Sequence, residues 1–163
     1  GRESLTDASA RVFGQLLQLE SLSIKSCTSI SAESMRCFAN LTRLHRLNLS
    51  NTSISDEVLD SILERVTRLR QLSVAHAKLQ IIPNIKRLVN LQVFDARHTS
   101  LDDSAIAYIP PLTGLLAFIW YTRPLFRFFR FLFAFYIYGQ KFARDDDVYI
   151  FVMNDDDDIL LCG

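Results

Sequence analysis

Residues 44–54 read LHRLNLSNTSI, and the spacing of their apolar side chains decides the architecture. Leu44, Leu47 and Leu49 follow the pattern L-x-x-L-x-L. The residue between the second and third leucine must point away from both of them, which is the period of two of a short strand. The same spacing recurs at Leu19, Leu22 and Ile24, at Leu69, Leu72 and Val74, and at Leu91, Phe94 and Ala96. The starts of the four segments lie 25, 25 and 22 residues apart. A fixed period of this size marks a stack of units, none of which can bury its apolar face without its neighbours.

The residues outside the strands carry the return path. Three positions after each strand pattern stands a small or polar residue, Cys27, Thr52, Ala77 or Thr99, and an apolar residue follows at Ile30, Ile54, Leu79 and Leu101. The side chain at that turn serves open backbone groups. Threonine supplies part of this bonding and alanine none, so the third turn is expected to be the loosest. Residues 56–67 place Val58, Leu59, Ile62, Leu63 and Val66 on one helical face, with Ser55 or Asp56 as the cap. Residues 32–42 read as a similar helix. Residues 81–91 are shorter and carry Pro83, which suits a turn or 3₁₀ segment. Residues 5–19 read as the last apolar position and helix of an earlier repeat, so the chain is expected to begin mid-repeat.

On these motifs residues 5–112 resemble the leucine-rich-repeat family. The resemblance implies an α/β solenoid, a right-handed horseshoe of about four to five repeats with short parallel strands and convex helices. It also implies a protein-binding module, part of a larger adaptor or regulator, that presents its concave sheet to a macromolecular partner. The outward strand positions are then Ser21, Ser23 and Lys25, then Arg46, Asn48 and Ser50, then Gln71, Ser73, Ala75 and His76, and last Val93, Asp95, Arg97 and His98. Binding hot spots favour Trp, Tyr and Arg, which singles out Arg46 and Arg97.

Chemistry beyond binding finds little support. No nucleophile motif, glycine-rich phosphate loop or H-E-x-x-H motif occurs, so neither an enzyme nor a cofactor is expected. His76 and His98 share one repeat position and invite comparison with a metal pair completed by Asp95. Exposed polar residues at variable positions are the simpler reading, and no metal site is expected. Cys27, Cys37 and Cys162 form no CxxC pair, which favours reduced thiols and an intracellular, cytoplasmic setting. The sequons at Asn40, Asn48 and Asn51 would mark glycans only in a secreted protein, and two of them fall inside repeat vocabulary. Lys plus Arg and Asp plus Glu balance at 18 each, so the whole-chain charge argues neither for nucleic acid nor for an acidic partner, and no nucleic-acid partner is expected.

The composition breaks near residue 113. All 15 serines lie at or before Ser104, whereas 9 of the 12 phenylalanines lie at or after Phe118. The expected division is a repeat region 1–112, a degenerate fifth repeat 113–125 carried by Leu115, Phe118, Trp120 and Leu125, and a tail 126–163, aromatic and then Asp-rich. Residues 112–138 are long enough for a membrane span, which needs about 20 apolar residues. Arg123, Arg127 and Arg130 sit near its centre, at a cost of roughly 2.5–3.5 kcal/mol each. The apolar residues of the stretch give back a similar total, so a membrane-anchored recognition protein with residues 112–138 as the anchor is the alternative to an intracellular binding module. Translation past a frameshift would equally explain a tail without serine or glutamate.

Overall fold

The computed structural model describes residues 5–101 in full, together with the backbone of residues 117–119, 150–153 and 159–162. Four three-residue strands, β1 (Ser21–Ser23), β2 (Arg46–Asn48), β3 (Gln71–Ser73) and β4 (Val93–Asp95), lie side by side in parallel, and β5 (Ala117–Ile119) adds to β4. The register is constant: Leu22 stands opposite Leu47, Leu47 opposite Leu72, Leu72 opposite Phe94, and Phe94 opposite Phe118. Two further strands, β6 (Ile150–Met153) and β7 (Ile159–Cys162), pair antiparallel as a separate sheet. Among the described residues no helix is long and apolar enough to cross a membrane. Most of the 112–138 stretch lies outside the described residues, but 117–119 within it are extended rather than helical.

The leucine pattern buries as its period requires. Leu22, Ile24, Leu44, Leu47, Leu49, Leu69, Leu72, Val74, Leu91, Phe94 and Ala96 are all buried, and Ile30, Ile54, Leu79 and Leu101 close the core behind them. After each strand one residue turns left-handed: Ser26, Asn51, His76 and His98 have φ between 53 and 62°. Each occupies the fourth position after its central strand residue. Asn and His visit this region more readily than most residues. The left-handed residue also extends the sheet, because Ser26 N–H donates to Ser50 O, Asn51 N–H to Ala75 O and His76 N–H to Arg97 O, at 2.7–2.9 Å. The third turn is not looser than the first. Ala77 N–H reaches Val74 O at 3.1 Å, as Cys27 N–H reaches Ile24 O, so a backbone bond closes the turn without a side-chain oxygen. Where threonine stands, its hydroxyl adds a bond to the carbonyl three residues back, Thr52 to Leu49 at 2.6 Å and Thr99 to Ala96 at 2.8 Å.

The return segments follow the spacing of their apolar residues. Helix α3 (Asp56–Leu63) buries Val58, Leu59, Ile62 and Leu63, and Ser55 caps it by accepting from Val58 N–H. It ends sooner than the sequence suggests. Residues 32–42 are not one α-helix: α2 (Ala32–Met35) gives way to a 3₁₀ turn over Arg36–Asn40. Met35, Phe38 and Leu41 are fully buried, and a spacing of three aligns on a helix of three residues per turn. Ile82, Ile85 and Leu88 have the same spacing around the 3₁₀ turn Pro83–Arg87 and are buried too. The first helix, α1 (Asp7–Phe13), stops before Gly14, where a Cβ would stand 2.6 Å from Cys37 Cβ. Glycine is required there for the close approach.

Carboxylates staple the first return segment to the second and the third to the fourth. Asp7 accepts from Ser31 N–H at 2.7 Å, Asp56 from Gln80 N–H at 2.9 Å and Asp60 from Asn84 N–H at 2.8 Å, each across one repeat. The Ser31 N–H holds the Asp7 carboxyl below its ordinary value of 3.8. A lowered folded-state pKa contributes stability that is present above the ordinary value and lost as pH falls below it. Asp7→Asn should therefore flatten the acid limb of the stability curve below about pH 4, measured as melting temperature against pH. Leu47→Asp places an unpaired charge in the core and should abolish cooperative melting, whereas Leu47→Ala should melt cooperatively with a loss of about 2–5 kcal/mol.

Candidate functional site

The open face of the sheet is built from rows, because a constant register puts equivalent residues of successive repeats about 4.8 Å apart. One row runs Ser21, Arg46, Gln71, Val93, and the next runs Ser23, Asn48, Ser73, Asp95. Ser21, Ser23, Lys25, Arg46, Gln71, His76 and His98 are exposed, and Asn48, Ser73, Val93, Asp95 and Arg97 are half-buried. Two of the outward positions behave otherwise. Ser50 is only 3% exposed and Ala75 only 4%, so neither is presented as a contact residue. The chain is already turning at these positions and neighbouring repeats cover them.

The burial of Ser50 creates a polar thread across three repeats. Its hydroxyl lies 2.6 Å from that of Ser73, which donates to Asp95 Oδ2 at 3.2 Å. Asp95 also takes a two-pronged contact from Arg97, Nε to Oδ1 and Nη2 to Oδ2, both at 3.0 Å. Asn48 Oδ1 accepts from Ser50 N–H at 3.0 Å, and Asp95 Oδ1 accepts from Arg97 N–H at 3.2 Å, the same local turn in two repeats. Arg97 is therefore anchored by Asp95, with its side chain 37% exposed. Among the described residues Arg46 makes no ion pair and stands as the freer cation.

The left-handed positions form a third row. Asn51 Nδ2 donates to Ser26 Oγ at 3.2 Å, and the rings of His76 and His98 stack with centroids 4.3 Å apart and planes inclined by 18°. Imidazole lone pairs lie in the ring plane, and nearly parallel stacked planes do not converge on one ion. Among the described residues no group of three or more His, Cys, Asp or Glu is placed to hold a metal. His45 stands apart, two residues before the centre of β2. Ser26 and Asn51 escaped the sequence reading of the face, although they sit 50 and 25 residues before His76 in the same repeat position. The 25-residue offset is the signal that finds them.

Cys37 belongs to the scaffold. Cys37 Sγ lies 2.9 Å from Ser34 O and 3.2 Å from Ala10 O, and burial pushes its thiol up, so it stays protonated and poorly nucleophilic. Of the three sequon asparagines, Asn48 and Asn51 are engaged in the hydrogen bonds above, and Asn40 is exposed at the end of its 3₁₀ turn.

Known proteins share this framework. The profile described as FBD-associated F-box protein At5g56370, LRR repeats, matches residues 5–124. The internalin inlF of Listeria monocytogenes is similar with 22% identity and a TM-score of 0.58 over 70% of this chain and 31% of that one. Internalin C2 of the same organism gives 20% identity and 0.58 over 68% and 46%. The tropomodulin C-terminal domain of Caenorhabditis elegans gives 20% and 0.52 over 69% and 80%. At these identities the likeness is one of fold, a leucine-rich-repeat solenoid. The chain spans about a third of the length of the first internalin and just under half of the second. No curated protein matches the sequence.

Removing the Asp95 carboxylate would leave Ser73 and Arg97 without their shared acceptor. Asp95→Ala should therefore cost about 1–3 kcal/mol, and Ser50→Ala less, by chemical denaturation. An Asp95→Ala protein as stable as wild type would show the thread to be dispensable.

Proposed function

The chain belongs to the leucine-rich-repeat family described for the FBD-associated F-box protein At5g56370, and from that premise we propose that it is a protein-binding module whose open sheet face receives a macromolecular partner. One observation carries the reading. The rows Ser21, Arg46, Gln71, Val93 and Ser23, Asn48, Ser73, Asp95 form a polar surface built on regular strands. Side chains held on regular strands lose little freedom on binding, and pre-organisation of this kind favours affinity. Arg46 and Arg97 supply the residue type most enriched in binding hot spots among those on the face. The family description joins LRR repeats to an F-box protein, which supports the repeats as one part of a larger adaptor or regulator. Intracellular placement is part of the proposal, supported by the free thiols of Cys27 and Cys37.

A photo-crosslinking residue at Gln71 tests this directly, with Glu57 on the helical side as the control position. A protein partner should be captured from position 71 and not from 57; equal capture from both would remove the sheet face as the binding surface. Arg97→Ala removes both bonds to Asp95; it should still melt cooperatively, with a loss of about 1–3 kcal/mol, and weaken the captured partner about tenfold. Unchanged affinity would take Arg97 out of the contact.

A further inference from the structure

Positive charge concentrates at one edge of the sheet, where the chain comes off the return segments into β2 and β3. Arg43 and Arg68 hold the same place in successive repeats, 25 residues apart, and both are exposed. His45 and Arg70 are lateral neighbours, since Arg70 N–H donates to His45 O at 2.8 Å. Arg46 begins β2 opposite Gln71, and Arg65 is exposed just after α3. None of these five arginines forms an ion pair among the described residues, whose two salt bridges lie elsewhere, at Arg36–Glu33 and Arg97–Asp95. Unpaired like charges on adjacent repeats repel one another in the free protein. A bound anion relieves that repulsion.

We propose that this rim, centred on Arg43, Arg68 and Arg70, binds an acidic segment of a protein partner, one with several Asp or Glu side chains close together. The proposal rests on the protein-binding reading above and gives the partner its chemistry. Arginine forks take carboxylates in two-pronged hydrogen bonds. Arg43 and Arg68 hold equivalent places in adjacent repeats with Arg70 two residues beyond Arg68, so a chain crossing the repeats can offer them successive carboxylates. A nucleic acid fits less well. The rim spans two repeats and is flanked by exposed Glu20 and Glu64, whereas even a single DNA-binding module buries about 600–1,000 Å² of strongly basic surface. The chain as a whole carries no net charge.

The test uses the full chain and a labelled peptide of alternating glutamate and glycine, followed by fluorescence anisotropy. Saturable binding that weakens with added salt is expected. Arg43→Glu/Arg68→Glu should weaken it about tenfold or more, while Arg11→Glu/Lys78→Glu, with the same change in net charge away from the rim, should leave it within about twofold. All four residues are exposed, and matched melting temperatures verify that the variants fold. Equal loss in both double variants would reduce the effect to overall charge and overturn the proposal. Tighter binding of a short DNA duplex or of phosphatidylserine vesicles than of the peptide would overturn it as well. Selection from a random displayed peptide library separates this inference from the reading beneath it. Acidic peptides lost on Arg43→Glu/Arg68→Glu support both. Non-acidic peptides lost only on Gln71→Trp leave the sheet face standing and sink the rim. No enriched peptide at all sinks both.

Discussion

The backbone ladder between successive repeats is the constraint on which everything else depends. Three residues of strand are too few to be stable alone, and each unit acquires its hydrogen bonds and its buried surface only from the next. The ladder extends past the strands in both directions. Glu20 O accepts from His45 and Arg46 N–H, and beyond the strands Ser26, Asn51 and His76 donate to the following repeat. Leu22, Leu47, Leu72 and Phe94 stand in one column because the ladder allows no slip. A slip of one residue would turn every leucine outward.

That same register gives the open face its character. Side chains of like kind are brought side by side, so each row accumulates a property that no single repeat has. Small polar residues become a hydrogen-bonded thread from Ser50 through Ser73 to Asp95 and Arg97. Two histidines become a stack. Arginines scattered in the sequence become a basic rim. On the opposite side the staples from Asp7, Asp56 and Asp60 tie the return segments together in two pairs behind the face.

The charge of the two surfaces differs in kind. On the face, Arg97 is already matched by Asp95, which spreads its charge into the thread and suits it to orienting a contact. Along the rim the arginines lack such partners among the described residues. A partner meeting both surfaces would find polar complementarity over the strands and electrostatic attraction at their leading edge. The second mainly accelerates encounter, and the first fixes orientation.

Much of this was legible in the sequence. The L-x-x-L-x-L spacing fixes strands, register and core, since period and burial are local consequences of which side chains are apolar. Ser55 as a cap and Pro83 in a 3₁₀ turn follow from equally local rules. The 32–42 segment was misread as one helix because amphipathic spacings of three and of 3.6 look alike over three turns; only the depth at which Met35, Phe38 and Leu41 must bury separates them. Ser50, Asp95 and Arg97 look like three independent surface residues in sequence. Their linkage, the stacking of His76 on His98 and the grouping of the arginines depend on distances between residues 20 or more apart. Those distances exist only once the repeats are stacked. The sequence alone determined that the side chains of the leucine pattern go inside, because water acts on each apolar residue wherever it lies. Tertiary structure alone decided which polar residues meet outside, because hydrogen bonds and charges act only over a few ångströms.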